Sequence, residues 1–314
     1  MQHVTSLAEA HPSGPTIVAV GMFDGVHRGH QHLLRRLVQT ARVRGFVPAV
    51  LTFFPHPDMV LGRASGRYYL TSPQQRADLL GELGVELVVT HPFNEEMRHM
   101  RAAEFVDRLL AHLKLRELWV GPEFTLGYRR EGNVSFLRAE GARKGFSLEV
   151  VDLVTNDGNG DVISSSTIRA ALAEGDVAAA TRRLGRPYRL EGEVVRGDGR
   201  GRTIGFPTAN LDVWDEQFLP RKGVYAGWAH LNGETFMAVA NIGNRPTFNG
   251  GVVTVEAHLL DFDRDIYGER LAFDVVAFLR PELKFNGVEA LVAQIRQDAI
   301  EGRALLSALT TNNQ

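Results

Sequence analysis

The chain has 314 residues, 44% hydrophobic and 23% charged, with 35 basic against 37 acidic side chains for a formal net charge of −2. That is an ordinary globular balance with length enough for two domains; it excludes a global field drawing the chain to nucleic acid or a membrane surface. With no cysteine, no apolar run near the roughly 20 residues of a membrane span and no apolar leader in MQHVTSLAEAHPSGP, disulfides, thiolate chemistry and cysteine-held zinc are excluded.

Residues 16–20 (TIVAV) form an unbroken apolar run that predicts a buried strand. Leu33, Leu34, Leu37, Val38 and Ala41 then recur at helical spacing, and Gly45 stands where that helix would stop. The stretch between them, GMFDGVHRGH at residues 21–30, is therefore a turn from a strand into a helix N-terminus. Backbone N–H groups and the helix dipole favour an anion there. Gly21, Gly25 and Gly29 let the main chain approach a ligand closely. His27 and His30, on either side of Gly29, can both aim at one phosphate. Asp24 is placed to orient the loop, to help hold a metal, or to cap the turn.

The alternation continues. Residues 46–54 read as a strand broken by Pro55-His56-Pro57, and 74–83 as a helix closed by Gly84. Residues 85–90 read as a strand, 102–113 as a helix, and 118–120 and 146–151 as strands. This rhythm predicts a doubly wound parallel sheet with helices on both faces and ligands at the carboxyl ends of its strands. GPEFTLGYRREGN, residues 121–133, follows one of those strands and belongs at the same rim. So does DVISSSTIR, residues 161–169, in which Ser164, Ser165 or Ser166 caps a helix. Their hydroxyls and the first-turn N–H groups could grip phosphates, with Arg169 as a positive fork. An alanine-rich joint follows at 170–188, with breaks at Gly175 and Gly185. After Pro187 the pattern is strands alone, which sets an α/β domain over residues 1–185 and a second domain over 186–314.

In that second part, residues 189–195, 224–231, 235–241, 252–260 and 271–279 read as short strands, with a hairpin signal at Asn232-Gly233. They predict a small antiparallel β-barrel. Residues 288–306 follow as an amphipathic helix, with Leu291, Ile295, Ile300 and Leu305 among its apolar positions. GDGRGRTIGFPTANL, residues 197–211, has Gly197, Gly199, Gly201 and Gly205 as a backbone nest for phosphates. Thr208 and Asn210, two apart in an extended segment, face the same way and offer neutral oxygens suited to Mg²⁺. Glu256 lies between apolar Val255 and Ala257 as the acid on its face of a strand.

Residues 21–30 match a Gly-x-Phe-Asp-Gly-x-His-x-Gly-His run, and Pro207-Thr208-Ala209-Asn210 matches a second one. LGRPY (184–188), NIGNRPTF (241–248), VEAHLLDFDRDIYG (255–268) and LRPELKF (279–285) complete a series in one order. Over residues 17–298 the chain resembles the bacterial bifunctional riboflavin kinase/FMN adenylyltransferase (FAD synthetase) family. The resemblance implies an N-terminal nucleotidyltransferase domain and a C-terminal barrel kinase domain ending in a helix. The barrel would convert riboflavin and ATP to FMN, and the sheet domain would convert FMN and ATP to FAD with release of pyrophosphate, in the cytoplasm. Riboflavin, FMN and ATP are then its small-molecule partners, with Mg²⁺ as cofactor; self-association into a homo-oligomer stays open.

By the same resemblance, Gly21, Phe23, Asp24, Gly25 and Gly29 shape the nucleotide loop, while His27 and His30 donate to phosphates. Ser164, Ser165, Ser166 and Arg169 hold the pyrophosphate side, and Glu123 belongs to the adenine and flavin side. Gly199, Gly201, Arg202, Gly205 and Pro207 wrap the second nucleotide, with Thr208 and Asn210 on Mg²⁺. Glu256 is the base that accepts the 5′-hydroxyl proton of riboflavin, and Arg280, Glu282 and Phe285 line the isoalloxazine pocket. Four positions depart from the family pattern. Glu123 replaces Asp or Asn, Leu126 an aromatic residue, Val162 a basic residue and Pro281 an acid. Two alternatives accompany this reading: a riboflavin kinase with weak or altered adenylyl transfer, and a non-catalytic flavin- or nucleotide-binding regulator.

Overall fold

A computed structural model describes residues 1–152, 162–197, 199–245 and 252–311. They form two compact units, Met1–Ser165 and Ser166–Gln314.

The first unit is built on β1 (Gln2–Val4), β2 (Thr16–Val20), β3 (Val47–Phe54), β4 (Leu87–Pro92), β5 (Leu115–Val120) and β6 (Ser147–Val150). All pairs are parallel, in the order β1-β4-β3-β2-β5-β6. Its helices are α1 (Arg28–Arg44), α2 (Pro57–Val60), α3 (Pro73–Glu82), α4 (Glu95–His99), α5 (Ala102–Leu113) and α6 (Val134–Lys144). Strand residues alternate between two cores. Val18, Val20, Leu51 and Leu118 pack with Phe105 and Leu109 of α5. Ile17, Ala19, Val50 and Trp119 pack with Leu34 and Leu37 of α1 and Leu80 of α3. A sheet buried on both faces needs apolar residues at every position, which is why TIVAV shows no polar alternation. The strand order reverses between β2 and β5, and loops after both strands open onto the crevice that such a reversal creates.

In the second unit α7 (Ser165–Glu174) starts on the last residue of the first, and α8 (Val177–Leu184) follows. Asp176 caps α8 through Ala179 N, and Gly185 ends it at φ 74°. The compact units thus part at 165/166, whereas the sequence rhythm changes near 186; α8 packs on barrel strands, so this helical joint goes with the barrel. The strands are β7 (Tyr188–Val195), β8 (Ala209–Val213), β9 (Gly223–Leu231), β10 (Glu234–Arg245), β11 (Val252–Leu259) and β12 (Arg270–Arg280), with the short helix α9 (Arg200–Thr203) before β8. They close antiparallel in the order β10-β11-β8-β7-β12-β9, which leaves no open edge. Asn232 (φ 50°) and Gly233 (φ 84°) supply the left-handed turn between β9 and β10.

The last helix, α10 (Val288–Thr311), packs on β9, β10 and β12. Its buried positions are Asp298, Gly302 and Leu306. Ile300 (63% exposed) and Leu305 (41%), two of the apolar positions read in the sequence, are not on the buried face. The reason is close packing at Gly302, where a Cβ would stand 2.8 Å from Val239 Cγ2. That contact sets which face of the helix meets the barrel.

Candidate functional site

The loop between β2 and α1 is held by a tight turn, Val26 N to Phe23 O at 3.0 Å. Phe23 (φ 49°), Gly25 (φ 78°) and Val26 (φ 41°) all take the left-handed region. Phe23 and Val26 pay a steric cost there, which persists because both side chains are buried in the core beneath the loop. Asp24 is 1% exposed and turned into the protein. Its Oδ1 accepts from Leu70 N (2.9 Å) and Thr71 N (3.2 Å), while Gly25 N donates to Thr71 Oγ1 (3.1 Å). Its carboxylate therefore orients the loop by tying it to Leu70 and Thr71.

His27 is the N-cap of α1, its Nδ1 accepting from His30 N at 3.4 Å. This bond assigns the proton of a neutral His27 to Nε2, as a donor. The two rings stack with centroids 3.6 Å apart, and Phe23 meets His30 edge-on at 5.0 Å. Burial, then His27, then Arg76, hold the His30 imidazole well below its usual pKa. It is thus neutral at neutral pH, and its buried Nδ1 has no partner among the described residues. Gly29 is buried in the first turn of α1. Ser165 Oγ donates to Asp24 O at 2.8 Å, bringing the start of α7 to the same loop. Ser164 is partly buried beside it, whereas Ser166 is exposed and accepts from Arg169 Nη2 at 3.4 Å. Val162 is 56% exposed, and Asp161 lies outside the described residues.

A cavity of about 790 Å³ opens from this loop, between Gly21 and Met22 after β2, Phe53 of β3, Phe105 of α5, and Glu123 and Leu126 after β5. Glu123 thus shares one cavity with Gly21, as two loops at a strand-order reversal should. The aromatic walls were not singled out in the sequence, which gave Phe53 and Phe105 only as parts of a strand and a helix.

In the barrel unit, Gly197, Gly199, Arg202, Pro207, Thr208 and Asn210 line one cavity of about 300 Å³. Gly199 (φ 68°) and Gly205 (φ 83°) occupy the left-handed region. A Cβ on Gly197 would lie 2.4 Å from Asn210 Nδ2, and one on Gly201 2.3 Å from Phe206 O and 3.2 Å from Thr208 Oγ1. The glycine loop therefore packs directly onto the two oxygen-bearing side chains. Asn210, Glu256 and Asn241 stand opposite one another on β8, β11 and β10, so all three project to one face. On β11, Thr254 Oγ1 donates to Glu256 Oε1 (3.5 Å), and His258 Nδ1 lies 2.8 Å from Pro207 O. The sequence did not single out Asn241 or His258 as neighbours of these residues, although period-two spacing from Glu256 points to His258. The far cavity wall, Phe262 to Tyr267, falls within a stretch singled out only for Glu256.

Arg280, Glu282 and Phe285 are found in other company. Arg280 makes a two-pronged pair with buried Asp298 (2.8 and 2.7 Å) and lies 5.8 Å over the Phe285 ring. Glu282 reaches back to β10: a Cβ on Gly243 would meet its Oε1 at 2.1 Å and Asn241 Nδ2 at 2.9 Å. Glu282 is thus beside the Asn241 end of the row that contains Glu256. Asp198 and residues 246–248 lie outside the described residues.

A doubly wound sheet with paired imidazoles at a helix N-terminus, followed by a closed barrel with a glycine nest over a Thr–Asn pair, defines a two-unit transferase of phosphorus-containing groups. Residues 9–167 match the family model described as FAD synthetase, and residues 184–306 the one described as riboflavin kinase. The chain is 40% identical over 295 residues to the bifunctional riboflavin kinase/FMN adenylyltransferase of Listeria monocytogenes, covering 93% of both chains. It is 40% identical over 308 residues to that of Pseudomonas fluorescens, covering 97% of this chain and 98% of the relative. A Streptococcus pneumoniae crystal structure described as a macrolide-efflux protein is 29% identical, with a TM-score of 0.86 over 96% of this chain and 98% of its own. No helix among the described residues is long and apolar enough to cross a membrane. The chain belongs to the bifunctional riboflavin kinase/FMN adenylyltransferase family.

Proposed function

We propose that this enzyme, which phosphorylates riboflavin to FMN and adenylylates FMN to FAD, performs the two steps at the two cavities described above. The observation that carries the proposal is that each unit contains its own cavity, one lined by Thr208 and Asn210 and the other opening at Gly21 and Met22 of the loop that carries His27 and His30.

In the barrel, the 5′-hydroxyl oxygen of riboflavin bonds to the γ-phosphorus of ATP as the bond to the β-phosphate oxygen breaks and ADP leaves. Glu256 accepts the hydroxyl proton. The glycine loop with Arg202 and Pro207 fixes the triphosphate. Thr208 and Asn210 fit Mg²⁺: both are neutral oxygen donors, both line the barrel cavity, and the glycines beside them bring the loop backbone close. Bound there, the ion would neutralise phosphate charge. Arg280, over Phe285, fixes the segment after β12 to α10, and Glu282 closes on β10, at the flavin side of Glu256.

In the sheet unit, the isoalloxazine occupies the larger cavity beside Glu123. A phosphate oxygen of FMN bonds to the α-phosphorus of ATP while pyrophosphate departs. The protein forms no covalent bond; it aligns the reactants and meets the growing charge with fixed donors. His27, through Nε2, and neutral His30 donate to the phosphates. The hydroxyl proton of Ser165 is already directed at Asp24 O, so this residue acts by docking the N-terminus of α7 on the loop. Ser164, beside it in the same unit, serves the pyrophosphate side. Use of ATP supports a cytoplasmic setting.

With riboflavin, ATP and Mg²⁺, chromatography of the flavins should show FMN appearing and then FAD, with one pyrophosphate per FAD. Excess EDTA should stop both steps. Riboflavin left unchanged, or FMN accumulating without FAD, would contradict the assignment.

A further inference from the structure

Arg76 of α3 is 0% exposed, one of the largest side chains wholly inside the protein. Sequence reading gave it no role, since a lone arginine on an amphipathic helix normally faces water. Its Nη1 donates to Met22 O (3.0 Å), Thr52 Oγ1 (3.0 Å) and Phe53 O (3.4 Å), and Thr52 Oγ1 itself donates to Met22 O (2.9 Å). Those acceptors lie at the carboxyl ends of β2 and β3, directly under the loop that carries the imidazoles. The other two nitrogens, Nε and Nη2, are buried with no partner among the described residues.

A guanidinium out of water with two unmatched nitrogens is expensive. Asp24 and Tyr69 are the groups that offset its charge. Asp24 turns its hydrogen bonds to Leu70 and Thr71, so every described hydrogen-bond acceptor of Arg76 is uncharged and two of its nitrogens stay unmatched at the rim where anionic phosphates arrive. A plain strand-to-helix tie would need only the Nη1 contacts.

We propose that Arg76 is a positioning residue for adenylyl transfer: it fixes the imidazole loop from below and keeps a permanent positive charge under the phosphates. The proposal rests on adenylyl transfer taking place at His27 and His30. Arg76 acts through these residues and through the field at the site.

The test uses the full chain with Arg76→Met and Arg76→Lys. Three readouts are followed: riboflavin phosphorylation, FMN-to-FAD kinetics against ATP, and the NMR titration of the His30 ring. His27 on α1, Asp24 on the loop, Arg76 on α3 and Tyr69 before α3 are the titratable groups around that ring and its arginine neighbour. With methionine, phosphorylation should persist while kcat/KM for ATP in FAD formation falls about 100-fold. The His30 midpoint should rise, because the cation that opposes its protonation is gone. With lysine the charge remains, so FAD formation should stay within about tenfold of the parent and the midpoint should stay low.

Methionine within about threefold of the parent would overturn the proposal. So would equal losses in both variants with an unmoved His30 midpoint, the mark of a purely structural tie. Should the methionine variant not fold, a folded lysine variant decides: about tenfold or less supports the proposal, and a loss near 100-fold contradicts it. Full FAD formation by His30→Ala would instead refute the site assignment, while the effect of Arg76 on the His30 titration would stay readable.

Discussion

Glu256→Gln is expected to lower riboflavin phosphorylation by about 10³-fold, while FMN supplied from outside is still converted to FAD. Glutamine keeps the volume of the side chain and can still accept from Thr254, whose hydroxyl lies 3.5 Å from Glu256 Oε1. It cannot take up the hydroxyl proton. Asn210 and Asn241, its neighbours across β8 and β10, are amides and cannot replace it. Glu282 is the nearest substitute, but its carboxylate rests over Gly243, on the neighbouring strand. The measurement is the initial rate of FMN formation at saturating riboflavin and ATP. A loss smaller than about tenfold would show that the proton leaves by another route.

His30→Ala should do the reverse. FAD formation is expected to fall by about 10²- to 10³-fold, the cost of losing a fixed donor at a charge-bearing transition state. Riboflavin phosphorylation should be unaffected. The substitution is mild for the fold: alanine suits a helix, and the cap of α1 uses the backbone N–H of residue 30, which alanine retains. It also removes a buried nitrogen that has no partner among the described residues. The variant should therefore unfold at the parent's temperature or slightly above while failing in adenylyl transfer. Parallel losses of both activities would point to a damaged chain, not to a vacated site.

Much of this was readable in the chain because local chemistry and fold agreed. TIVAV followed by a glycine-rich turn and a helical repeat could hardly be other than a strand, an anion loop and a helix. The Thr208–Asn210 spacing survives because extended backbone alternates sides whatever surrounds it. β1 was missed because Gln2-His3-Val4 has one apolar residue and owes its pairing to β4. α6 was missed because only Leu137 and Gly141 of its eleven residues are buried, too few to show a face.

Polar side chains that find distant partners were harder. Asp24 allowed three readings in sequence; the choice depends on Leu70 and Thr71, 46 and 47 residues away. The hold of Arg280 on Asp298 depends on how α10 returns to the barrel, and the burial of Arg76 on where α3 crosses the sheet. Neither leaves a local pattern, because the partner and the solvent exclusion both come from tertiary packing. Ile300 and Leu305 lie off the buried face for a related reason: at Gly302 close approach outweighed apolar area in choosing that face.

The most direct measurement combines the two damaged chains. Given riboflavin, ATP and Mg²⁺, Glu256→Gln alone should stop at riboflavin and His30→Ala alone at FMN. Mixed in one tube they should restore FAD, because FMN released by the second chain feeds the intact sheet unit of the first. A mixture that accumulates FMN without FAD, although the Glu256→Gln chain converts FMN added by hand, would contradict two sites joined by a freely exchanged intermediate.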